Sequence, residues 1–385
     1  MAPTASAEDH GRIPVDLDLD DEQQQLLEAT RGFLARHYPL GDARAILEND
    51  REPDPEGWRR AAEMGWIAVL APESVGGLGF NPAAAGIIAS ELGRAANWTP
   101  FLGCALGAAA LGRAREGAAV ELLEDLASGE TTAAWCGPEP RGGEWGPGTV
   151  ATRAERRGEG WVLDGRKSLV VDADLAEWLV VSARVDGELT DFVVPASAPG
   201  VQITLSRTLD LTRRFATVEL SGVEVEAGRL ACGIGEGARS YADTLDLAAV
   251  LVASDAIGAA ELLMETTVEY AMDRIAFQRP IASYQAVKHM CADMLLRVEA
   301  SRAASRYAAL TLENGSEERA RAVPVAASYA AEATAAVAGD ALQIHGGVGF
   351  TWEHDLHLFL RRIKVDQALF GDARWHRERI AGQLS

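Results

Sequence analysis

At 385 residues the chain is too long for one small domain and suits two or three packed around a substantial core. Hydrophobic residues make up 48% and charged residues 24%, a globular balance, while a net charge of −21 opposes binding to a nucleic-acid backbone or an anionic membrane surface. Cys104, Cys136, Cys232 and Cys291 lie too far apart in sequence to suggest a zinc site or a redox dithiol, so no metal is expected.

Residues 1–18 are polar and aperiodic and read as a disordered tail. Their acidic run lacks the basic start and apolar stretch of a secretion signal, so a cytoplasmic protein is expected. Asp20 or Asp21 then caps a helix over 22–37, where Leu26, Leu27, Phe33 and Leu34 recur at helical spacing. A helical piece over 58–64, a Gly-rich loop from Ala71 to Phe80, and Ala- and Leu-rich helical patterns over 82–96 and 102–126 complete a helical region, 19–130.

Composition changes near Thr131. Short apolar strands are expected over 150–156, 161–163, 169–171, 178–183, 191–194, 201–205 and 217–225. Asp164-Gly165 and Asp186-Gly187 supply tight-turn dipeptides between them. Such spacing indicates a small antiparallel barrel or sandwich over 131–238. Gly137 to Gly148 is a low-complexity patch inside it.

From residue 239 to 385 the pattern is helical. Long helices are expected over 241–274, 284–314 and 317–345, with Gly315 closing the second. Pro324 should lie in the first turn of the third or kink it. Two shorter helices, near 353–369 and 373–384, would close an antiparallel bundle. The apolar stretch 247–264 is interrupted by Asp255 and Glu261, which argues against a membrane span.

Two motifs stand out in this last region. One is Arg274-Ile-Ala-Phe277-Gln278-Arg279-Pro280-Ile281, followed by Tyr284-Gln285. The other is Gln343-Ile-His345-Gly346-Gly347-Val-Gly349-Phe350. With the Pro72-Glu-Ser-Val-Gly-Gly-Leu-Gly79 loop and the order helices, sheet, helices, they resemble the flavin-dependent acyl-CoA dehydrogenase family from about residue 19 to 382. The resemblance implies an α+β multidomain fold: an N-terminal all-α domain, a middle antiparallel β-barrel and a C-terminal four-helix bundle. It implies α,β-desaturation of an acyl-CoA thioester with FAD, and reoxidation by an acceptor such as an electron-transfer flavoprotein. It also implies that Arg274, Phe277, Ile281, Gln285, Gln343, Gly346 and Gly347 bind cofactor, leaning toward that of an adjacent subunit. A guanidinium is a forked phosphate donor, and glycines let backbone approach a diphosphate. His345 reads as a structural residue of the turn.

The general base departs from the family pattern. Proton abstraction α to a thioester needs a carboxylate in a water-poor pocket. Phe370 stands where most members keep that Glu, and Ala248 where a minority keep it. Asp246 and Asp372 are the remaining carboxylates nearby, either as a relocated base or as capping and solvated groups. The flavin-ring motifs are eroded too. Of one, only Glu139-Pro140 survives, and Lys167-Ser-Leu169-Val170-Val171-Asp172 lacks the expected Trp and Thr. The surviving set serves a neighbour's cofactor, and the eroded set would have served this chain's own. This division resembles the heteromeric actinobacterial acyl-CoA dehydrogenases linked to steroid and other bulky acyl-CoA breakdown. The chain is therefore expected to be the subunit without a base in a heterotetramer with a Glu-bearing homologue, FAD being shared. A catalytic homo-oligomer in specialised metabolism, or a non-enzymatic scaffold, are the alternatives.

Overall fold

The computed structural model describes residues 17–48, 54–140 and 142–383; most of the expected N-terminal tail, 1–16, lies outside them. Helix α1 (Asp21–His37) is opened by Asp20. Its carboxylate accepts from Gln23 N at 2.8 Å while Gln23 closes the reciprocal bond, a capping box. Then come α2 (Leu40–Glu48), which periodicity did not reveal, and α3 (Pro55–Glu63). Helix α4 (Pro82–Arg94) follows the Gly-rich loop. The pattern over 102–126 is two helices, α5 (Phe101–Leu111) and α6 (Ala118–Ser128). Gly117, at φ +74°, starts the second in a direction that a continuous helix could not take.

The sheet contains β1 (Ala133–Cys136), β2 (Arg153–Arg157), β3 (Gly160–Val171), β4 (Trp178–Val185), β5 (Glu188–Pro195), β6 (Val201–Ser206) and β7 (Phe215–Val225). Its order is β1-β4-β2-β3-β7-β6, with β5 also on β4. Pairing is mostly antiparallel, but β1 runs parallel to β4. Asp186 (φ +50°) and Gly187 (φ +91°) form the expected β4–β5 hairpin turn. Asp164-Gly165, by contrast, turns nothing. It lies inside the continuous β3, at a register shift against β7. A Cβ on Gly165 would stand 2.3 Å from the Thr152 hydroxyl, so the glycine answers a close approach within the sheet. Both faces of β4 are buried. Val181 packs with Phe192 and Val194 inside the curved sheet, while Val180 and Val193 face the helices.

Helices α7 (Gly237–Asp273), α8 (Gln285–Glu313), α9 (Arg319–His345), α10 (Leu356–Asp366) and α11 (Ala373–Ala381) form the bundle. Strands β8 (Ile275–Ala276) and β9 (Arg279–Pro280) make a hairpin between α7 and α8. Helix α7 is long and apolar enough to cross a membrane by length and composition, yet that stretch is mostly buried inside the protein. Pro324 lies in the second turn of α9. The Ala320 carbonyl, deprived of its usual helical donor, accepts from Gln383 Nε2 at 2.5 Å.

Two features lock the N-terminal helices onto the bundle. Gly93 on α4 faces the Asp255 backbone, and Gly258 on α7 faces the Ser90 backbone. A Cβ on either would stand within 2 Å of a carbonyl oxygen, at 1.9 and 1.8 Å. Beside them, Arg362 holds Asp255 in a fork at 2.7 Å on both arms and also donates to Asn97 O and Thr212 Oγ1. Arg213 joins Asp255 to Asp366, 3.0 Å from each. The Asp255 that interrupts the apolar run is thus a buried, paired charge joining α4, the sheet and α10.

Candidate active site and cofactor-facing surface

Around Phe370 the interior is solid. Phe370 lies on the turn between α10 and α11 at φ +59° and is 2% exposed. Its ring centroid is 5.5 Å from Trp145 and 6.3 Å from Trp135, and Trp135 meets Tyr241 edge-on at 5.0 Å. Tyr241 donates to the Trp145 carbonyl at 2.7 Å, and Trp375 Nε1 donates to Glu144 at 3.1 Å. The segment read as low complexity thus delivers an indole into the core. Ala248, on α7, is fully buried in the same cluster.

The surviving pieces of the flavin-ring motifs have internal partners. Lys167 is fully buried. Its ammonium donates to Glu139 at 2.8 Å, Gly137 O at 3.2 Å and Ser182 O at 2.6 Å. Glu139 also accepts from Ala151 N, Thr152 N and the Thr152 hydroxyl. Burial pushes the Glu139 carboxyl up, but Lys167 and the Thr152 hydroxyl outweigh it and hold it below its ordinary range. The pair staples the exit of β1 to β3. Val171 is buried and Leu169 is partly exposed at φ +56°. Neither side chain offers a hydrogen bond, and Val171 belongs to the same buried apolar cluster as Trp135, Trp145 and Phe370. Leu169 and Val171 therefore bring no side-chain donor to a flavin ring.

The two carboxylates near Phe370 are engaged. Asp246 is buried and accepts from Arg379 at 2.6 Å; burial raises its pKa and Arg379 opposes the rise. Asp372 is exposed and caps α11, accepting from Trp375 N at 2.8 Å.

The second set of residues faces outward at one end of the bundle, where α7 and α9 end and α8 begins. Phe277 and Gln278 form the β8–β9 turn, both at left-handed φ (+50° and +67°), and Phe277 is 91% exposed. A bulky residue in this conformation is strained, a cost tolerated where the projected side chain has a use. The hairpin is held by Ile281 N on Arg274 O at 2.8 Å, by the Tyr284 hydroxyl on Ala276 O at 3.1 Å, and by Arg279 over the Tyr284 ring at 4.0 Å. Arg274 and Gln285 are exposed and Ile281 is half-buried. Tyr270, one turn before Arg274, stacks on His345 at 4.4 Å, and His345 Nδ1 bonds Ala341 O at 2.9 Å. Burial holds His345 below its ordinary pKa, so the neutral ring ties the ends of α7 and α9 together. Gln343 is exposed, Gly346 is at φ +59°, and a Cβ on Gly346 or Gly347 would meet nothing within 4 Å. Unobstructed backbone, a guanidinium, an amide and a projecting ring suit the phosphates and flank of a flavin dinucleotide. Met272, Ile275, Val348 and Phe350 add exposed apolar surface around this set.

Among the described residues no cluster of three metal-ligating side chains occurs. The sequence reading missed Trp135, Trp145 and Tyr241. Their only signal was three large aromatics among weak motifs, and sequence distance hid their convergence.

Family models for the N-terminal, middle and C-terminal domains of acyl-CoA dehydrogenases match residues 20–130, 136–222 and 235–385. The acyl-CoA dehydrogenase IpdE2 of Mycolicibacterium smegmatis is 32% identical over 371 residues, covering 95% of this chain and 100% of that protein. The ChsE4–ChsE5 complex from Mycobacterium tuberculosis contains a chain of similar structure, with a TM-score of 0.86 at 27% identity, covering 96% of this chain and 99% of that one. Butyryl-CoA dehydrogenase from Megasphaera elsdenii shares the fold, with a TM-score of 0.87 at 22% identity over 96% of this chain and 100% of that one.

Proposed function

The chain belongs to the acyl-CoA dehydrogenase family of FAD-dependent oxidoreductases, and we propose that within it this protein is a subunit without its own catalytic base. It would complete the active site of a homologous Glu-bearing chain in a heteromeric complex that α,β-desaturates a bulky acyl-CoA. The observation that carries this reading is the contrast between two places. Phe370, which stands where the resemblance puts the family's base, is packed in an aromatic core. In the outward-facing set, Arg274, Phe277, Gln285 and Gln343 are exposed and the backbone at Gly346 and Gly347 is unobstructed.

FAD, when bound, accepts the β-hydride of the thioester. In this reading Arg274 and Gln343 donate to its phosphates, Gly346 and Gly347 let backbone N–H groups approach them, and Phe277 shields the bound cofactor from water. Asp246 and Asp372 do not serve as bases, because one is held by Arg379 and the other caps α11. The ChsE4–ChsE5 precedent of two different chains in one complex supports the heteromer, and the similarity to the steroid ACAD Tcur3481–Tcur3483, with a TM-score of 0.84 at 26% identity, supports the steroid-like substrate class.

The test is co-expression with a family member that retains its Glu, followed by an absorbance spectrum. The chain alone should be colourless, and the complex should be yellow and should oxidise an acyl-CoA. A single-gene preparation saturated with flavin and active on a thioester would favour the catalytic homo-oligomer. Colourless protein both alone and with every such partner would favour a scaffold.

A further inference from the structure

A cavity of about 180 Å³ lies between α1, α4, α7 and α8. It shares no residue with the aromatic core around Phe370 or with the cofactor-facing surface. Its charged lining is Arg31, Arg302 and Arg306 against Glu91 and Glu261. Arg31 is spent on Glu91 in a fork, 2.8 Å on both arms, and Arg302 donates to Glu261 at 2.6 Å. Arg306 donates to the Leu17 carbonyl at 2.8 Å, and among the described residues no carboxylate reaches ion-pair distance of it. Among the described residues Arg306 is therefore the lining guanidinium without an ion pair, in a chain whose net charge is −21. Burial, and then neighbouring Arg302, draw the Arg306 pKa below its ordinary value; Glu299, Asp18 and Glu261 oppose this only in part, and a bound anion would relieve the remainder. The rest of the lining is amphipathic: the Ser254 and Ser305 hydroxyls pair at 3.0 Å, and Leu27, Ile87 and Ile257 form an apolar wall.

We propose that this cavity binds a small monocarboxylate, with its charge on Arg306 and its short alkyl or phenyl tail against Leu27, Ile87 and Ile257. Arg306, which has no ion pair among the described residues, can meet one negative charge. A phosphate dianion would bring a second charge toward Glu91 and Glu261 without compensation. The size agrees, since an apolar cavity of about 150 Å³ accommodates benzene. The site is independent of the subunit role proposed above.

Calorimetric titration of the full chain, with any partner that co-purifies, tests this at constant ionic strength. Hexanoate should bind, and hexanamide and inorganic phosphate should bind about tenfold more weakly or not at all. Arg306→Gln should weaken hexanoate by about tenfold or more, the worth of a charged hydrogen bond. Ala309→Leu, which fills the cavity from α8 and leaves Arg306 in place, should weaken it comparably and serves if the first variant does not fold. No binding of hexanoate at millimolar concentration, equal binding of hexanamide, or unchanged affinity in whichever variant folds would overturn the proposal.

Discussion

Phe370 combines a left-handed backbone, deep burial and contact with two indoles, so its position tolerates little besides an aromatic. Phe370→Glu should create no dehydrogenase activity. It should lower stability by about 3 kcal/mol or more, because a carboxylate would enter an apolar core without a partner. Denaturant unfolding checks this; an active, stable variant would show that the cavity opens. Arg274 faces solvent, so Arg274→Ala should leave the chain's stability within about 0.5 kcal/mol. It should nonetheless strip flavin from a co-purified complex, read as the flavin-to-protein absorbance ratio. His376, next to the Phe370 turn, carries a pH dependence. Burial, and then Arg379, push its pKa down to about 3. Below the ordinary pKa of about 6.5 the unfolded chain binds the proton and the folded chain does not, so stability falls as pH drops from there toward 3. Between pH 7.5 and 5 the wild type should lose about 2 kcal/mol more than His376→Gln, measured by urea unfolding at both pH values.

At the scale of elements, the α4–α7 crossing depends on glycines facing backbone from both sides. Gly258→Ala improves helix propensity by about 1 kcal/mol, yet the Ser90 carbonyl blocks the methyl group. Overpacking should win, with a net loss of about 1–3 kcal/mol and a lowered melting temperature. The β8–β9 hairpin shows the same balance in reverse. Asn-Gly would suit its turn better than Phe277-Gln278, so the retained strain argues for a use of the projecting ring.

Across the whole molecule, Arg362 and Arg213 with Asp255 and Asp366 hold the helical ends and the sheet together from inside. Arg362→Met would leave Asp255 with one buried partner and should cost about 3–5 kcal/mol. Because the network joins otherwise separate cores, calorimetry should also show the single unfolding transition broaden or divide. The outward-facing end of the bundle exposes apolar side chains among the described residues. In the proposed complex its exposed Phe277, Phe350 and Ile275 would be covered by another subunit, and size measurement of the co-expressed chains should show a heteromer.

Periodicity and turn chemistry already located most helices, the Asp20 cap, the Asp186-Gly187 hairpin and the outward-facing motif residues, because these depend on neighbours a few positions apart. That Phe370 and Ala248 stand where the resemblance puts the family's carboxylate rests on the motifs alone; the structure adds that both side chains are buried in one apolar cluster. The sequence misled at Asp164-Gly165, where the glycine answers Thr152 across the sheet, and over 102–126, where two helices share one apolar pattern. Only the tertiary structure decided that Trp135, Trp145, Tyr241 and Phe370 close into one core, that Glu139 and Lys167 are a staple, and that Asp255 is paired. Such contacts join residues tens to hundreds of positions apart, and no local pattern encodes which distant side chains will share a buried space.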